Sequence, residues 1–534
     1  MKIARQDLAL PLRSAPPVRP SLLSRWPLLV KIAVVAILII TVLALQTVDR
    51  SPPRTSGASP HFRIASLWQQ SRLPTLYLDI KFENAQRLQT ERASAQAAGI
   101  YIARPGAAVT ATVRVGNANV PAQISLPSGQ YAPGEWAFEI TIQEPHTLLG
   151  WRHVLLYDAH ARRALGQWGL SESLKREGIP ASLVQSVQVA FNGDALGVYG
   201  AWPAPEEMMT QNRLTGGLVY FDRTLYYQDL LRQRGNGAAP LSVNLNDCQV
   251  ATVAALGQAD QAAMSRLRDL QIGHRAPSDV LDVEQMGTLL ALTTLWQGSP
   301  LDDWTRLMFS LDLSTGRLRP VAAPNLIGPP GDNVLRWPVC FDDPSLQAAY
   351  VRAVERISRS EYLDKLRADV GSAFDQAQLA FAAQGKPELT WDELVARQKR
   401  MARWLEPTEM AQATWVMPAP ATLKSSSVLS VSLANLQRVP VEVLGFDVGK
   451  STFLPIDPAW IQDGSDSVIS KSKGSVILRA AGDGRLRTLR LSVPYTAVFA
   501  AGRAYDEQVE MRVATRLWGL ARQQSAPMRQ SSGE

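Results

Sequence analysis

From residue 76 onward the chain alternates apolar and polar residues with period two, and this most constrains what it can fold into. "TLYLDIKF", "AVTATVRV", "VPAQISL" and "EWAFEITI" each repeat the pattern, and "WRHVLLYD" continues it. Alternation over four to eight residues is the signature of a strand with one buried face. Gly116-Asn117 and Ser128-Gly129 punctuate these segments as turns. Helical spacing then starts near Ala161 and runs through "RRALGQWGLSESLKREG", with Gly178 as its stop. "VQSVQVAFNGDALGVYGAW" reads as a hairpin turning at Asn192-Gly193. "SDVLDVEQMGTLLALTTLWQG" reads as a helix with Asp282 as N-cap. "MFSLDLSTGRLRPVAA" is a second hairpin, turning at Ser314-Thr315-Gly316. Amphipathic helices are expected over 344–383 and 390–405. From about 411 to 497 the period returns to two, which marks a second, small β-sandwich domain. The end, "YDEQVEMRVATRLWGLARQQ", reads as a terminal helix with a polar tail.

The chain has 534 residues and a formal charge of +7. Residues 1–31 hold a net +5 of that charge, with Lys2, Arg5, Arg13, Arg19, Arg25 and Lys31 opposed only by Asp7. The rest is nearly balanced, so no basic footprint for nucleic acid remains. The basic arm precedes the run "WPLLVKIAVVAILIITVLALQTV" at 26–48. At a rise of about 1.5 Å per residue this run reaches about 34 Å, enough to cross a bilayer. A cleaved signal peptide is the alternative, but the run is long for one and no A-x-A site follows. An uncleaved anchor in the inner membrane is therefore expected, with the N-terminus cytoplasmic and 49–534 periplasmic or otherwise extracytoplasmic. The expected division is a basic arm over 1–25, a spanning helix over 26–48 and a linker over 49–75. A main domain then covers 76–407, a β-sandwich 408–500, and a terminal helix and tail 501–534.

Few motifs carry chemistry. His146, His153 and His160 are seven apart, a spacing that converges only on a helix, whereas this stretch reads as strand and loop. "GLSES" lacks the last glycine of a nucleophile elbow. Neither GxGxxG nor GxxxxGK[ST] occurs. Glu206 and Glu207 follow Pro205 and suit the first turn of a helix. The tryptophans lack periodic spacing and suit a core better than a sugar-stacking platform. Cys248 and Cys340 are the two cysteines; they are a possible disulfide in an oxidising compartment or two separate buried thiols.

Four blocks together resemble the spore-coat CotH kinase-like family, in particular its membrane-anchored bacterial members. They are "VTATVRVGNANVPAQISL" with "GEWAFEITIQEPHTLLGWRHVLL", "RRALGQWGLSESLKREGI" with "VQVAFNGDALGVYG", "SDVLDVEQMGTLLALTTLWQG" with "FSLDLSTGRLRPV", and "DDPSLQAAYVRAVERISRSEYLDKL". The resemblance covers roughly 76–407, and the β-rich segment with "LANLQRVPVEVLGF" looks like the C-terminal domain of such relatives. It implies an α+β chain with an atypical protein-kinase-like core, a β-rich N-lobe and a helical C-lobe. A small C-terminal β-sandwich would follow, and one N-terminal transmembrane helix would precede.

Active members of that family transfer phosphate from ATP with Mg²⁺, which needs metal-holding carboxylates. Pro324 and Leu326 stand where the resemblance places two aspartates. Thr305 and Arg306 replace a His-Asn type pair, and Trp202 and Pro203 replace two glutamates. The cationic positions match Pro127 and Glu139. Asn192, Gly193, Gly197 and Tyr199 are kept, as are Trp136, Phe138, Lys175, Arg176 and Glu177, so Asn192, Gly193, Gly197 and Asn325 are the nucleotide-binding candidates.

The resemblance therefore implies a degenerate kinase that binds or scaffolds an envelope protein or polymer, with no cofactor. One alternative is an active kinase using ATP and Mg²⁺ through the spare carboxylates Glu206, Glu207, Asp312 and Asp332, with Asp302 and Asp303 nearby. The other is a binder of envelope polysaccharide.

Overall fold

The computed structural model describes residues 73–531 except 132–133, 160–162, 215–216, 235–247, 254–256, 298–305, 324–341, 383–388, 417–426, 450–451, 466, 471–473, 481–485 and 500–509. The first alternating segments form β1 (Thr75–Ile80), β2 (Val109–Val115), β3 (Ala118–Ser125), β4 (Ala137–Ile142) and β5 (His153–Asp158). The hairpin that follows forms β6 (Gln185–Phe191) and β7 (Asp194–Pro203). These seven strands close into a barrel in the order β1-β2-β3-β4-β5-β7-β6. Parallel pairing of β6 with β1, from Thr75 opposite Gln188 to Leu78 opposite Phe191, makes the closure. Closure leaves no free sheet edge, the general hazard of exposed strands. Alternate residues such as Leu76, Leu78, Val113, Ile124, Phe138, Ile140, Leu156 and Val189 are buried in one core.

Helix α1 (Phe82–Ala98) follows β1, and α2 (Ala164–Arg176) lies between β5 and β6. The last turn of α2 is basic, as suits a helix C-terminus. From there Arg176 pairs with Asp369, while Glu177 receives Arg356 at 2.5 Å. Short helix α3 (Pro205–Gln211) then leads to a second sheet. That sheet comprises β8 (Leu218–Asp222), β9 (Gln249–Thr252), β10 (Leu307–Asp312) and β11 (Arg317–Ala322), in the order β9-β8-β10-β11. Helices α4 (Thr224–Arg234), α5 (Gln258–Gln271), α6 (Val283–Gln297), α7 (Pro344–Ile357), α8 (Ser360–Ala382) and α9 (Trp391–Trp404) complete this part. Asp282 does cap α6, accepting from the Gln285 amide at 3.1 Å. The helix expected over 344–383 is two helices, α7 and α8, separated at Ser358 and Arg359.

Beyond α9 two further sheets share a core of residues such as Val431, Leu433, Val443, Phe446, Leu491 and Val513. Their strands are β12 (Ala411–Val416), β13 (Val428–Asn435), β14 (Val441–Val448), β15 (Thr452–Pro455), β16 (Ile461–Asp463) and β17 (Ser467–Ser470). The rest are β18 (Ser475–Leu478), β19 (Arg487–Pro494), β20 (Met511–Leu517), β21 (Gln524–Pro527) and β22 (Arg529–Gln530). One sheet runs β16-β19-β13-β12-β22; the other runs β17-β18-β14-β20-β21 with β15 beside β14. Val439, Val441 and Leu517 belong to the same core as the helices and barrel, so this region is joined by packing to what precedes it. Arg479 also reaches Asp342 at 3.2 Å.

Further expectations need correction. The expected kinase-like core of a β-rich N-lobe and a helical C-lobe is overturned by the closed seven-stranded barrel and the separate four-stranded sheet. No helix among the described residues is long and apolar enough to cross a membrane, and the run at 26–48 lies outside those residues. The expected terminal helix is instead strand β20, because pairing with β14 over Val441–Val448 outweighs local helical preference.

Candidate functional site: a histidine clasp at the barrel wall

Strand β7 stays hydrogen-bonded to β5 until its last residue, where Pro203 lies opposite Val154. Ala204 then donates its amide to the His153 carbonyl at 3.0 Å, which starts α3 beside that histidine. Pro205 occupies the first helical turn, where no amide partner is needed. Glu206 and Glu207 follow in the same turn, favoured by the positive end of the helix dipole.

Both glutamates reach back to the barrel. A Glu207 side-chain oxygen accepts from the backbone amides of Arg152 at 2.8 Å and His153 at 3.3 Å. Glu206 Oε1 lies 3.4 Å from His153 Nδ1. On the ring's other side Nε2 is 2.8 Å from Glu139 Oε1. That contact follows from register: Glu139 sits opposite Leu155 and Thr141 opposite His153, so Glu139 and His153 are diagonal neighbours on one face of the β4–β5 pair. Beside them Arg152 Nη1 pairs with Glu144 at 2.6 Å.

A neutral imidazole has one donor and one acceptor nitrogen, whereas a carboxylate only accepts. A ring facing a carboxylate from each nitrogen is therefore satisfied only as the doubly protonated imidazolium. The hydrogen bonds to Glu139 and Glu206 accordingly push His153 up to about 9 against the opposing effect of burial. Glu206 is held below the usual carboxylate range, chiefly by His153. Tyr220 on β8 is pushed up by burial, with Asp222 and Glu206 adding to it. The two glutamates approach opposite nitrogens, so they offer a metal no common point with the ring. Among the described residues no group of three or more His, Cys, Asp or Glu residues is placed to hold a metal ion.

The sequence candidates fall elsewhere. Asn192 and Gly193 form the tip of the β6–β7 hairpin, with φ of 50° and 90°, the left-handed conformation such a two-residue turn requires. Asn192 Oδ1 accepts from the Ile80 amide at 2.7 Å, and the Asn192 amide donates to the Leu78 carbonyl at 3.0 Å. The tip thus seals the barrel seam. Gly197, at φ 117°, sits where the β6–β7 register shifts by a bulge. Trp202 and Pro203 are buried, Trp202 packing edge-on against Tyr157 at 5.5 Å. Pro127 is buried too, its carbonyl accepting from the Tyr131 hydroxyl at 3.0 Å. Asp312 accepts from the Ser314 amide at 2.9 Å and hydroxyl at 2.7 Å, which fixes the β10–β11 turn. Arg306 is half-buried at the start of β10. Thr305, Pro324, Asn325, Leu326, Asp332, Asp302, Asp303 and Cys340 lie outside the described residues, and Cys248 is buried.

"GLSES" sits within α2, where Ser173 accepts from the Trp296 indole at 2.9 Å and donates to the Gly169 carbonyl. Trp151, Trp202 and Trp296 are almost fully buried, and half-buried Trp136 stacks on Phe138 at 5.3 Å beneath Arg92. His146 is exposed, and His160 lies outside the described residues. Sequence reasoning named Glu139, Glu206 and Glu207 without joining them, and set His153 aside. Pairing "AFEITI" with "HVLLYD" as neighbouring strands would have brought Glu139 to His153.

Compared with known proteins, the chain matches no protein-family model and no curated protein, so the resemblance given above rests on its quoted motifs alone.

Proposed function

We propose that this chain is a binding or scaffolding module of the cell envelope that transfers no phosphate. One observation carries the reading: among the described residues, the spare carboxylates that could serve a relocated reactive centre are committed within the protein. Glu206 holds the His153 ring, Glu207 holds two backbone amides of the barrel, and Asp312 closes a turn. Metal-assisted phosphoryl transfer needs carboxylates that are open to the ion. An extracytoplasmic position for residues 49–534 is part of the proposal, supported by the basic arm and the apolar run at 26–48.

The test is a thermal-shift titration of the full chain with ATP and Mg²⁺, paired with a phosphate-incorporation assay on protein acceptors. The expected result is no Mg²⁺-dependent shift and no incorporation. A saturable Mg²⁺-dependent shift with phosphate transfer would overturn the reading. A topology reporter fused at the C-terminus checks the position, and reporter activity confined to the cytoplasm would contradict it.

A further inference from the structure

The chain passes from the barrel to the four-stranded sheet through α3, a helix of seven residues. So short a helix is not stable by itself and takes its position from what it is attached to. Two of its attachments differ in kind. Met208 is fully buried in the small core of the four-stranded sheet, with Leu218, Met308, Val321 and Ala323. That contact is apolar and carries no proton. The first turn makes the other attachment, to β5, through Glu206 on the His153 ring and Glu207 on the backbone. Within it, the Glu206 contact depends on the ring being fully protonated, because a bare ring nitrogen would turn its lone pair on a carboxylate oxygen, whereas Glu207 and the Ala204 amide hold backbone groups and carry no such dependence.

The charged groups around the ring come from each element packed there. Glu139 faces it from β4 and Glu206 from α3. Glu207 of α3 holds the backbone of β5, while Arg152 is engaged by Glu144. From the sheet side Tyr220 of β8 lies within the field of Glu206 and of Asp222 on its own strand. The charges acting on the ring are thus two carboxylates, and both favour retention of its proton.

We propose that Glu139, His153 and Glu206 form a proton-held latch that tightens α3 against the barrel wall, and that loss of the ring proton loosens this junction. The latch is closed across the neutral range and independent of what the module binds. Hydrogen–deuterium exchange on the full chain tests it, read on peptides covering 204–214 and corrected for the intrinsic rate at each pH. In the wild type, protection of this segment should fall about tenfold between pH 7 and pH 10, the factor that one unit of pKa represents. Peptides from β19 should stay protected. His153→Gln and the gentler Glu206→Gln should each lower protection at pH 7 and flatten its pH dependence. Unchanged wild-type protection up to pH 10 would overturn the proposal. So would a wild-type pH response retained by Glu206→Gln, the variant that keeps the side-chain shape should His153→Gln fail to fold.

Discussion

Two charged knots hold strands of this protein together, and they differ in one respect. At the barrel wall the cation is a histidine between Glu139 and Glu206. In the C-terminal sheets the cation is Arg516, which sits directly opposite Glu442 in the β14–β20 pair. Its Nε lies 2.5 Å from Glu442 Oε2, while Ser475 donates to Glu442 Oε1 at 2.7 Å. Glu442 is fully buried, whereas the His153 side chain keeps 26% of its exposure. An arginine holds its proton throughout the range in which proteins stay folded. A histidine does not. The buried knot is therefore permanent, and the half-exposed one is conditional on pH.

The largest effect should come from breaking the permanent knot. Glu442→Ala leaves the partly buried Arg516 guanidinium without its carboxylate and removes the acceptor for Ser475. It should cost about 3–5 kcal/mol in urea unfolding, a typical penalty for halving a buried pair. That cost should be the same at pH 7 and pH 10; a cost that shrank at alkaline pH would erase the contrast between the knots.

The second effect is smaller and conditional. The folded state raises His153 from 6.5 to about 9. The stabilisation is thus complete below pH 6.5 and lost as pH rises through about 9. After discounting for the ring's partial exposure to water, it amounts to about 1–2 kcal/mol. His153→Gln should lose that much at pH 7.

Third, Glu206→Gln probes the same clasp from the acid side. Glu206 is lowered from 4.5 in the folded state, so its contribution is present above that value and fades as pH falls through the lower folded pKa. Combined with His153→Gln it should be clearly non-additive at pH 7, by about 0.5–1 kcal/mol. Strict additivity would mean that the two residues do not share a bond.

Smallest of all, Asp312→Asn should leave the melting temperature unchanged within error. Its bonds to Ser314 are exposed to water, where an amide oxygen can still accept them and little is lost.

The barrel strands were legible because each buries one face, and their alternation states as much. The hairpin tips were legible for a similar reason: Asn192-Gly193 and Gly316 need left-handed backbone. Helix α1 escaped because it buries little, with Ala85, Leu88 and Ala95 inside and Phe82 79% exposed. Its apolar stripe is too thin to set a period. Strand β20 escaped in the opposite direction, since "MRVATRL" has helix-tolerant residues and its strand character comes from β14. Barrel closure is a pairing of residues more than a hundred apart, which no local pattern encodes. The clasp was half legible. Glu206 and Glu207 stood out as a pair after a proline, but their partner lies about fifty residues earlier in the chain and is reached only through the β5–β7 register.

One measurement tests the clasp most directly: the unfolding free energy of wild type and His153→Gln, compared at intervals from pH 6 to pH 10. The difference should be at its full value below about pH 6.5, shrink steadily as pH rises from there through about 9, and vanish by pH 10. A difference that is absent at pH 7, or that persists undiminished at pH 10, would contradict the account, because His153 would then hold the barrel wall by shape and not by charge.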